Sequence, residues 1–170
     1  VGEEKGAIFE HEKFMINNIF EFNNKTAEDI MTHRLEMVSM PVSTRLSEIL
    51  RIVGSKKYTR IPVYENEIDN IVGILYVKDL LNLIDDEKLI EEFSLKKYIR
   101  KPLFVQNNKR IDELFMELQK ARTHFAIVID EYGGTEGIIT LEDLIEEIVG
   151  EIFDEDDELE TDIIKIDDYT

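Results

Sequence analysis

The sequence contains no cysteine, which excludes disulfide bonds and thiolate metal sites and fits a reducing compartment. It also lacks any apolar run near the roughly 18 residues that a membrane-spanning helix needs. No basic stretch followed by an apolar one opens the chain, so no signal peptide is expected. Val1 stands where a complete protein has methionine, which predicts a segment of a longer protein.

Positive charge is scarce, because 20 Lys and Arg face 38 Asp and Glu for a net charge of −18. Nucleic acid is therefore an unfavourable partner, since a polyphosphate backbone requires a basic face. Much of the acidity is local: residues 142–162 hold twelve Asp or Glu and no Lys or Arg. A solvated helix followed by an acidic linker is the simpler interpretation, and a cation-binding or partner-binding segment is the alternative.

Arrangements of catalytic residues are also missing. His11, His33 and His124 are scattered, and none lies in an H-E-x-x-H setting. No phosphate-binding G-x-x-x-x-G-K-[ST] loop occurs. The acidic run at 154–158 resembles a calcium loop only in charge, because the sixth position, which requires glycine, is Leu159. We therefore expect no enzymatic activity.

An internal repeat organises the chain. Residues 61–80 and 125–144 align without gaps at an offset of 64. The matched pairs are Gly73 with Gly137, Asp79 with Asp143, and Leu80 with Leu144. Further upstream the match continues with a shift of one residue. Apolar positions there have the i, i+3, i+4, i+7 spacing of an amphipathic helix: Leu46, Ile49, Leu50 and Val53, against Ile111, Leu114, Phe115 and Leu118.

Each copy predicts the element order β-α-β-β-α. The extended lead-in segments are 36–42 and 101–105, with helix caps at Ser43 or Thr44 and at Asn107 or Asn108. The strands are 60–64 and 71–76 around a turn at 65–70, and 125–129 and 137–140 around a turn at 130–135. Gly133 and Gly134 suit a tight turn, since glycine adopts positive φ at little cost. The last helices begin near Asp79 and Asp143.

A unit of this kind exposes an apolar face when alone, so two copies should pack around a pseudo-two-fold axis. The predicted fold class is therefore α+β, with two pseudo-two-fold-related repeats forming one module. We expect four parts: a helical connector at 1–25, a first repeat at 26–86, a second repeat at 87–153, and an acidic linker at 154–170.

The motifs of this chain resemble a known family. The tandem order, with G-x-x-x-x-x-D closing each copy, is similar to the CBS (cystathionine β-synthase) domain pair. T-A-E-D-I-M-T at 26–32, Y-T-R-I-P-V-Y at 58–64 and above all D-E-Y-G-G-T-E-G-I-I-T-L-E-D-L-I-E-E-I-V-G-E-I at 130–152 resemble the CorC/HlyC hemolysin-like proteins and their CNNM relatives. The resemblance covers about residues 20–155.

The resemblance implies a setting and a ligand. In this family the CBS pair lies on the cytoplasmic face of the membrane, between a transmembrane domain and a C-terminal domain, in proteins associated with magnesium or cobalt efflux. We accordingly expect a regulatory module that binds an adenosine nucleotide, AMP or ATP, with or without Mg²⁺. CBS pairs also form homodimers, so a ligand-free module for dimerisation and tethering is the alternative. Leu80 to Ile84 and Leu144 to Val149 offer apolar helix faces for such a dimer.

Thr140 and Asp143 are the central candidates for nucleotide binding. A carboxylate at a helix start can accept two hydrogen bonds from a ribose diol. From spacing alone, Thr140 as a helix cap with Asp143 in the first turn is the favoured interpretation, whereas the resemblance favours ribose and α-phosphate binding. The resemblance adds the remaining candidates from both repeats: Thr32, Met37, Tyr58, Thr59, Arg60, His124 and Ile138. Both lead-in segments are expected to meet in one cleft.

Individual roles follow for some of these residues. Tyr58 is suited to stack on a base and Arg60 to reach phosphate, the alternative being an ordinary half-exposed strand edge. His124 is expected to match Arg60 under the repeat, and a structural hydrogen-bonding role is an equal alternative for it. In the first repeat Tyr76 replaces the threonine and Lys78 lies beside Asp79, which predicts a weak or empty second site.

Overall fold

The computed structural model describes residues 2–150, and the predicted acidic linker lies outside them. In the connector and first repeat the elements are α1 (Gly2–Phe22), α2 (Ala27–Ile30), β1 (Thr32–His33), β2 (Met40–Pro41), α3 (Leu46–Ser55), β3 (Arg60–Glu65), β4 (Glu67–Tyr76) and a 3-10 helix (Val77–Leu83). They are followed by α4 (Glu87–Glu91), a 3-10 turn (Leu95–Lys97), β5 (Ile99–Arg100), β6 (Phe104–Gln106), α5 (Ile111–Ala121), β7 (Phe125–Ile129), β8 (Thr135–Thr140) and α6 (Leu141–Val149). No helix in this part of the chain is both long and apolar enough to span a membrane.

The strands form two four-stranded sheets that exchange their edges. One sheet has the order β1-β8-β7-β6 and the other β2-β3-β4-β5. Strand β1, from the start of the first repeat, pairs antiparallel with β8 of the second. Strand β5, which follows the first repeat, pairs antiparallel with β4 of that repeat. Each sheet is thus completed by a short strand from the other half, and the predicted α+β module of two paired repeats is confirmed.

Three apolar clusters hold the module together. One packs the β1-β8-β7-β6 sheet against α5 and α6 and includes Leu118, Ile139 and Leu144, all fully buried. A second packs the other sheet against α3 and the 3-10 helix. The third lies between the sheets and includes Ile74 and Ile127. Alternate residues of each strand therefore face either their own helices or the opposite repeat, as the period of two requires.

Strand pairing corrects the gapless repeat alignment by one residue. Arg60 pairs with Tyr76, whereas Phe125, and not His124, pairs with Thr140. The same shift appears in the backbone, where Val77 N–H donates to the Thr59 carbonyl and Leu141 N–H to the His124 carbonyl. The first strands therefore match at an offset of 65. The expectation that His124 matches Arg60 is wrong, because a shift of one residue moves a side chain to the other face.

The local signals at turns and helix starts predict the structure less well than the repeat does. Strand β4 already begins at Glu67, because Asn66 turns the chain alone with a left-handed φ of 66°. The predicted caps are also wrong, since α3 and α5 begin after Arg45 and Arg110. The Thr44 hydroxyl instead donates back to the Pro41 carbonyl at 2.5 Å. In the second turn the prediction is confirmed, with Gly133 at a φ of 80°.

Candidate functional site

Thr140 and Asp143 form a reciprocal capping box at the start of α6. The Thr140 hydroxyl oxygen accepts from the Asp143 backbone N–H at 3.1 Å, and the Thr140 N–H donates to Asp143 Oδ2 at 2.9 Å. Both residues are half-buried. The capping interpretation is therefore realised, and only one carboxylate oxygen of Asp143 carries a hydrogen bond within the described residues. Because a carboxylate has about four lone-pair directions, capping leaves acceptor capacity for another partner.

Three further candidates lie along the same sheet edge or beneath it. Thr32 on β1 pairs with Ile138 on β8, two residues before Thr140. The strand exchange thus brings a residue from the start of the first repeat beside the end of β8. Met37 is buried in the cluster between the sheets, against which Ile138 also packs. Thr32 and Ile138 are half-buried, so they retain exposed surface near the start of α6.

Arg60 and His124 converge on the residue before Asp143. Glu142 Oε1 lies 3.6 Å from Arg60 Nη1 and 3.5 Å from His124 Nδ1. The Arg60 side chain is only 18 % exposed, and its Nε is buried without a hydrogen-bond partner among the described residues. A buried guanidinium N–H that lacks an acceptor is costly, so Arg60 is well placed to accept an anionic partner.

Tyr58 and Thr59 contribute differently. The Tyr58 ring is half-buried and packs against the core under the first sheet. Thr59 is exposed, and its carbonyl accepts a hydrogen bond from the Val77 backbone N–H. Tyr58 and Thr59 immediately precede Arg60, which begins β3, so chain continuity places their backbone near the Arg60 end of the cleft.

The two lead-in segments place their strands in different sheets, and their meeting in one cleft stays a prediction. Strand β2 lies in the sheet of the first repeat and β6 in that of the second. The edge exchange involves the other two short strands, β1 and β5, each of which joins the sheet of the other half. Thr32 consequently stands on the Asp143 side of the module, whereas Arg100 stands on the Asp79 side.

A cleft of about 220 Å³ opens between the first strands of the two repeats. Its lining residues are Arg60, Tyr76, Lys78, Arg100, Arg122, Thr123 and His124. Five of them are basic or imidazole side chains and none is acidic. The sequence reasoning identified Arg60 and His124 as site residues but missed Arg100 and Arg122. Arg100 reaches the cleft because β5 pairs with β4 of the first repeat, and Arg122 reaches it from the end of α5 in the second repeat. These long-range placements cannot be read from the sequence.

The Asp79 side of the cleft is filled by an ion pair. Arg100 Nε and Nη2 donate to the two oxygens of Asp79 at 2.9 and 2.7 Å. The Arg100 hydrogen bond lowers the pKa of Asp79 below its usual value, with nearby Lys78 adding to the effect. The Tyr76 ring lies under Arg100, 4.2 Å from the ring centre to the guanidinium. Arg100, rather than the predicted Lys78, is thus the direct partner of Asp79.

Comparison with known proteins identifies the fold family. The model of the CBS domain matches residues 27–86 and 95–150. The chain belongs to the CBS domain family. It is 41 % identical over 164 residues to hemolysin C of Brachyspira hyodysenteriae, covering 96 % of this chain and 59 % of that protein. It is 40 % identical over 154 residues to the UPF0053 protein YhdP of Bacillus subtilis, covering 91 % and 35 %.

The structure is also similar to solved structures of CBS domains. One is the CBS domain of a bacterial CNNM/CorC family Mg²⁺ transporter in complex with ATP, with a TM-score of 0.78, 41 % identity and coverage of 83 % of this chain and 99 % of that one. Another is a CBS-domain pair with bound AMP from Klebsiella pneumoniae, with a TM-score of 0.65, 28 % identity and coverage of 74 % and 98 %. The resemblance to the CorC and hemolysin-like proteins is therefore confirmed. The chain spans only 35 to 59 % of the curated relatives named above.

Proposed function

We propose that this CBS pair is the regulatory, non-enzymatic module of a larger membrane transport protein, at its cytoplasmic face, and that it binds an adenosine nucleotide on the Asp143 side of the inter-repeat cleft. The observation that carries the proposal is the convergence at the start of α6. There the Asp143 carboxylate keeps unused acceptor capacity, and the adjacent residue Glu142 lies 3.6 Å from the Arg60 guanidinium, whose buried Nε has no partner among the described residues. The first suits a ribose diol and the second a phosphate.

The remaining candidates supply the other surfaces that a nucleotide requires. Thr32 and Ile138 provide a half-buried strand edge whose backbone groups and apolar atoms suit a purine. His124 adds a nitrogen near the phosphate position, and Tyr58 and Thr59 lie just before Arg60. The two nucleotide-bound CBS structures support the ligand class, one with ATP and the other with AMP. Mg²⁺ is expected to assist ATP more than AMP, because the chain is strongly acidic.

Helix α6 offers a route from this site to the connector. Its first turn holds Asp143, and its last turn packs against α1. Asn18 Nδ2 donates to the Ile148 carbonyl at 3.1 Å, and Lys25 pairs with Glu147 at 2.5 Å. A nine-residue helix is about 13 Å long, so both contacts lie on one short rigid element. A nucleotide that favours one orientation of α6 would thereby act on α1, provided that its affinity differs between the two arrangements.

Isothermal titration calorimetry with AMP and ATP, each with and without Mg²⁺, tests the proposal. Asp143→Ala should abolish binding, whereas Asp79→Ala should retain it, because Asp79 is occupied by Arg100. When the nucleotide concentration is a hundred times the dissociation constant, the free energy of unfolding of the wild-type protein should also rise by about 2.7 kcal/mol. Equal loss of binding in both variants would refute the assignment of one site.

A capping control separates ligand binding from helix stability. Asp29 caps α2 with the same backbone contact, in which the Thr26 N–H donates to Asp29 Oδ2 at 2.9 Å. Losing either cap should cost about 0.5–2 kcal/mol. Asp29→Ala should therefore resemble Asp143→Ala in stability but keep nucleotide binding. Loss of binding in both would show that Asp143 acts only as a cap.

The alternative, a dimerising tether without ligand, also has a specific observation in its favour. Leu81 on the 3-10 helix and Ile84, which caps its end, are 64 % and 67 % exposed, while Leu80 and Leu83 face the core. Such an apolar stripe suits association with a second copy. Sedimentation analysis of the wild type and of the double variant Leu81→Glu with Ile84→Glu tests it. The tether is favoured if the wild type is a dimer, the variant is a monomer, and neither responds to any nucleotide.

A further inference from the structure

The start of α5 in the second repeat is closed by the segment that precedes β1. Residues 25–28 contact residues 107–111 through three backbone hydrogen bonds, and we call this contact the seam. The bonds run from Ala27 N–H to the Lys109 carbonyl at 2.8 Å, from Glu28 N–H to the Asn107 carbonyl at 3.0 Å, and from Ile111 N–H to the Lys25 carbonyl at 3.1 Å. Phe22, at the end of α1, is only 5 % exposed and packs in the same apolar cluster as Ala27 and Ile111.

Backbone contacts show which segments of the first repeat correspond to the seam. Val42 N–H donates to the Tyr64 carbonyl at 2.8 Å, as Asn107 N–H donates to the Ile129 carbonyl at 3.0 Å, which sets the start of α3 against that of α5. The 3-10 turn before β5 stands where α2 stands before β1, and their caps are Ser94 and Thr26. Within the part of the chain that the structure describes, no backbone hydrogen bond joins the two matching segments of the first repeat. The seam is therefore made in one repeat and open in the other.

A cavity of about 290 Å³ lies where the first repeat leaves the seam open. Counting four residues back from the two caps reaches Phe22 in the second repeat and Ile90 in the first. Ile90 lines the cavity and is 43 % exposed, in contrast to the buried Phe22. Protein interiors are normally packed without such voids. The space that an aromatic ring fills in the second repeat is thus open in the first.

The lining of this cavity combines apolar surface with hydrogen-bond donors. Its apolar members are Val42, Leu46, Ile90, Phe93 and Leu95, and its polar members are Ser43, Thr44, Arg45 and Ser94. Arg45 is the one ionisable side chain among them, and it forms no ion pair within residues 2–150. Its counterpart Arg110 is paired with Asp112 at 3.0 Å. Apolar walls beside an unpaired guanidinium suit a flat apolar ring that carries a carboxylate.

We propose that this cavity is a second ligand site, for a small aromatic carboxylate. The ring takes the place that Phe22 fills in the second repeat, and the carboxylate accepts hydrogen bonds from Arg45. None of the residues that line this cavity lines the cleft between the repeats. The site is therefore separate from the one proposed for a nucleotide, and neither proposal depends on the other.

The test fills the cavity in the way that the second repeat does. Ile90→Phe restores an aromatic ring at the open position, and Leu89→Phe places the same ring on α4 at a residue that does not line the cavity. Nuclear magnetic resonance titration of the 170-residue chain with sodium benzoate measures the affinity of each variant. Benzoate affinity should fall about tenfold in Ile90→Phe, because the added ring occupies the space of the ligand, and should stay near the wild-type value in Leu89→Phe.

A second pair of variants tests the carboxylate and does not depend on filling the cavity. Arg45→Gln should lower benzoate affinity about threefold and leave the affinity for phenol unchanged, since phenol carries the ring without the charge. Arg51→Gln is the control, because Arg51 lies on the same helix outside the cavity. In the wild type the shift changes should be confined to residues 42–46 and 90–95.

Three results would overturn the proposal. The first is the absence of saturable shift changes in residues 42–46 and 90–95. The second is a benzoate response centred on the inter-repeat cleft, at residues such as Arg60 and His124. The third is an equal loss of benzoate affinity in Ile90→Phe and Leu89→Phe, which would assign the effect to α4 as a whole and not to the cavity.

Discussion

Adding one methyl group at Gly137 should weaken the exchanged edge of the second sheet. A Cβ at this position would lie 2.3 Å from the Thr32 carbonyl oxygen and 2.9 Å from Met31 Sδ. Ordinary contact begins at 3.4 Å, so β1 would have to retreat by about 1 Å. The obstacle is a backbone atom that cannot rotate away. We therefore expect Gly137→Ala to cost about 3 kcal/mol, the upper end of typical overpacking costs.

Two other glycines calibrate this value. Gly73 is the matching residue of the first repeat, and its Cβ would lie 2.6 Å from Ile99 Cβ on β5. Gly73→Ala should therefore cost about 1–3 kcal/mol. Gly54 lies in α3, and a methyl group added there would meet nothing within 4 Å, so Gly54→Ala should instead stabilise by about 0.5–1 kcal/mol.

Urea unfolding followed by circular dichroism measures all three variants. With an m-value of about 2 kcal/mol/M, Gly137→Ala should lower the midpoint by about 1.5 M. The melting temperature should fall by about 6–12 °C for a chain of this size. A Gly137→Ala midpoint within experimental error of Gly54→Ala would refute the close approach of β1 and β8.

Two electrostatic predictions concern pH. Arg100 lowers the pKa of Asp79, so the contribution of this pair is present above the usual carboxyl pKa of 3.8 and is lost as the pH falls through the lowered value. Arg100→Gln should therefore flatten the acid dependence of the urea midpoint between about pH 4 and pH 2, and an unchanged slope would contradict it. Glu147 raises the pKa of Lys25, so that contribution is complete below pH 10.5 and is lost as the pH rises through the raised value. Because both side chains are about one-third exposed, a double-mutant cycle of Lys25→Met and Glu147→Gln at neutral pH should give only about 0.2–1 kcal/mol. No coupling would indicate that the segment after α1 does not dock on α6 through this pair.

The sequence revealed the repeats because glycine and aspartate recur at fixed positions. Gly73 and Gly137 mark close approaches of an exchanged strand, and Asp143 caps a helix in the predicted way. These requirements are local, so residue type and spacing express them directly. The fold class and the second turn followed from the same signals.

Other features depend on distant pairing and were not predictable in this way. The first strands of the repeats, β3 and β7, match with a shift of one residue, and turns of different kinds compensate for it. The chain turns at Asn66 in the first hairpin and at Gly133 in the second. Alignment by letters alone therefore set His124 against Arg60. The partnership of Arg100 with Asp79 was equally hidden, because it depends on β5 crossing to the other sheet. Long-range contacts of this kind leave no period in the sequence.

The crossing of β1 and β5 means that neither half of this protein is a complete folding unit. A chain cut between the repeats would leave β8 without Thr32 and His33 along its edge, and β4 without Ile99 and Arg100. Unpaired edges of this kind recruit equivalent strands from other molecules. A single repeat that associates with a second copy of itself would bury between two chains the same edges that this protein buries within one.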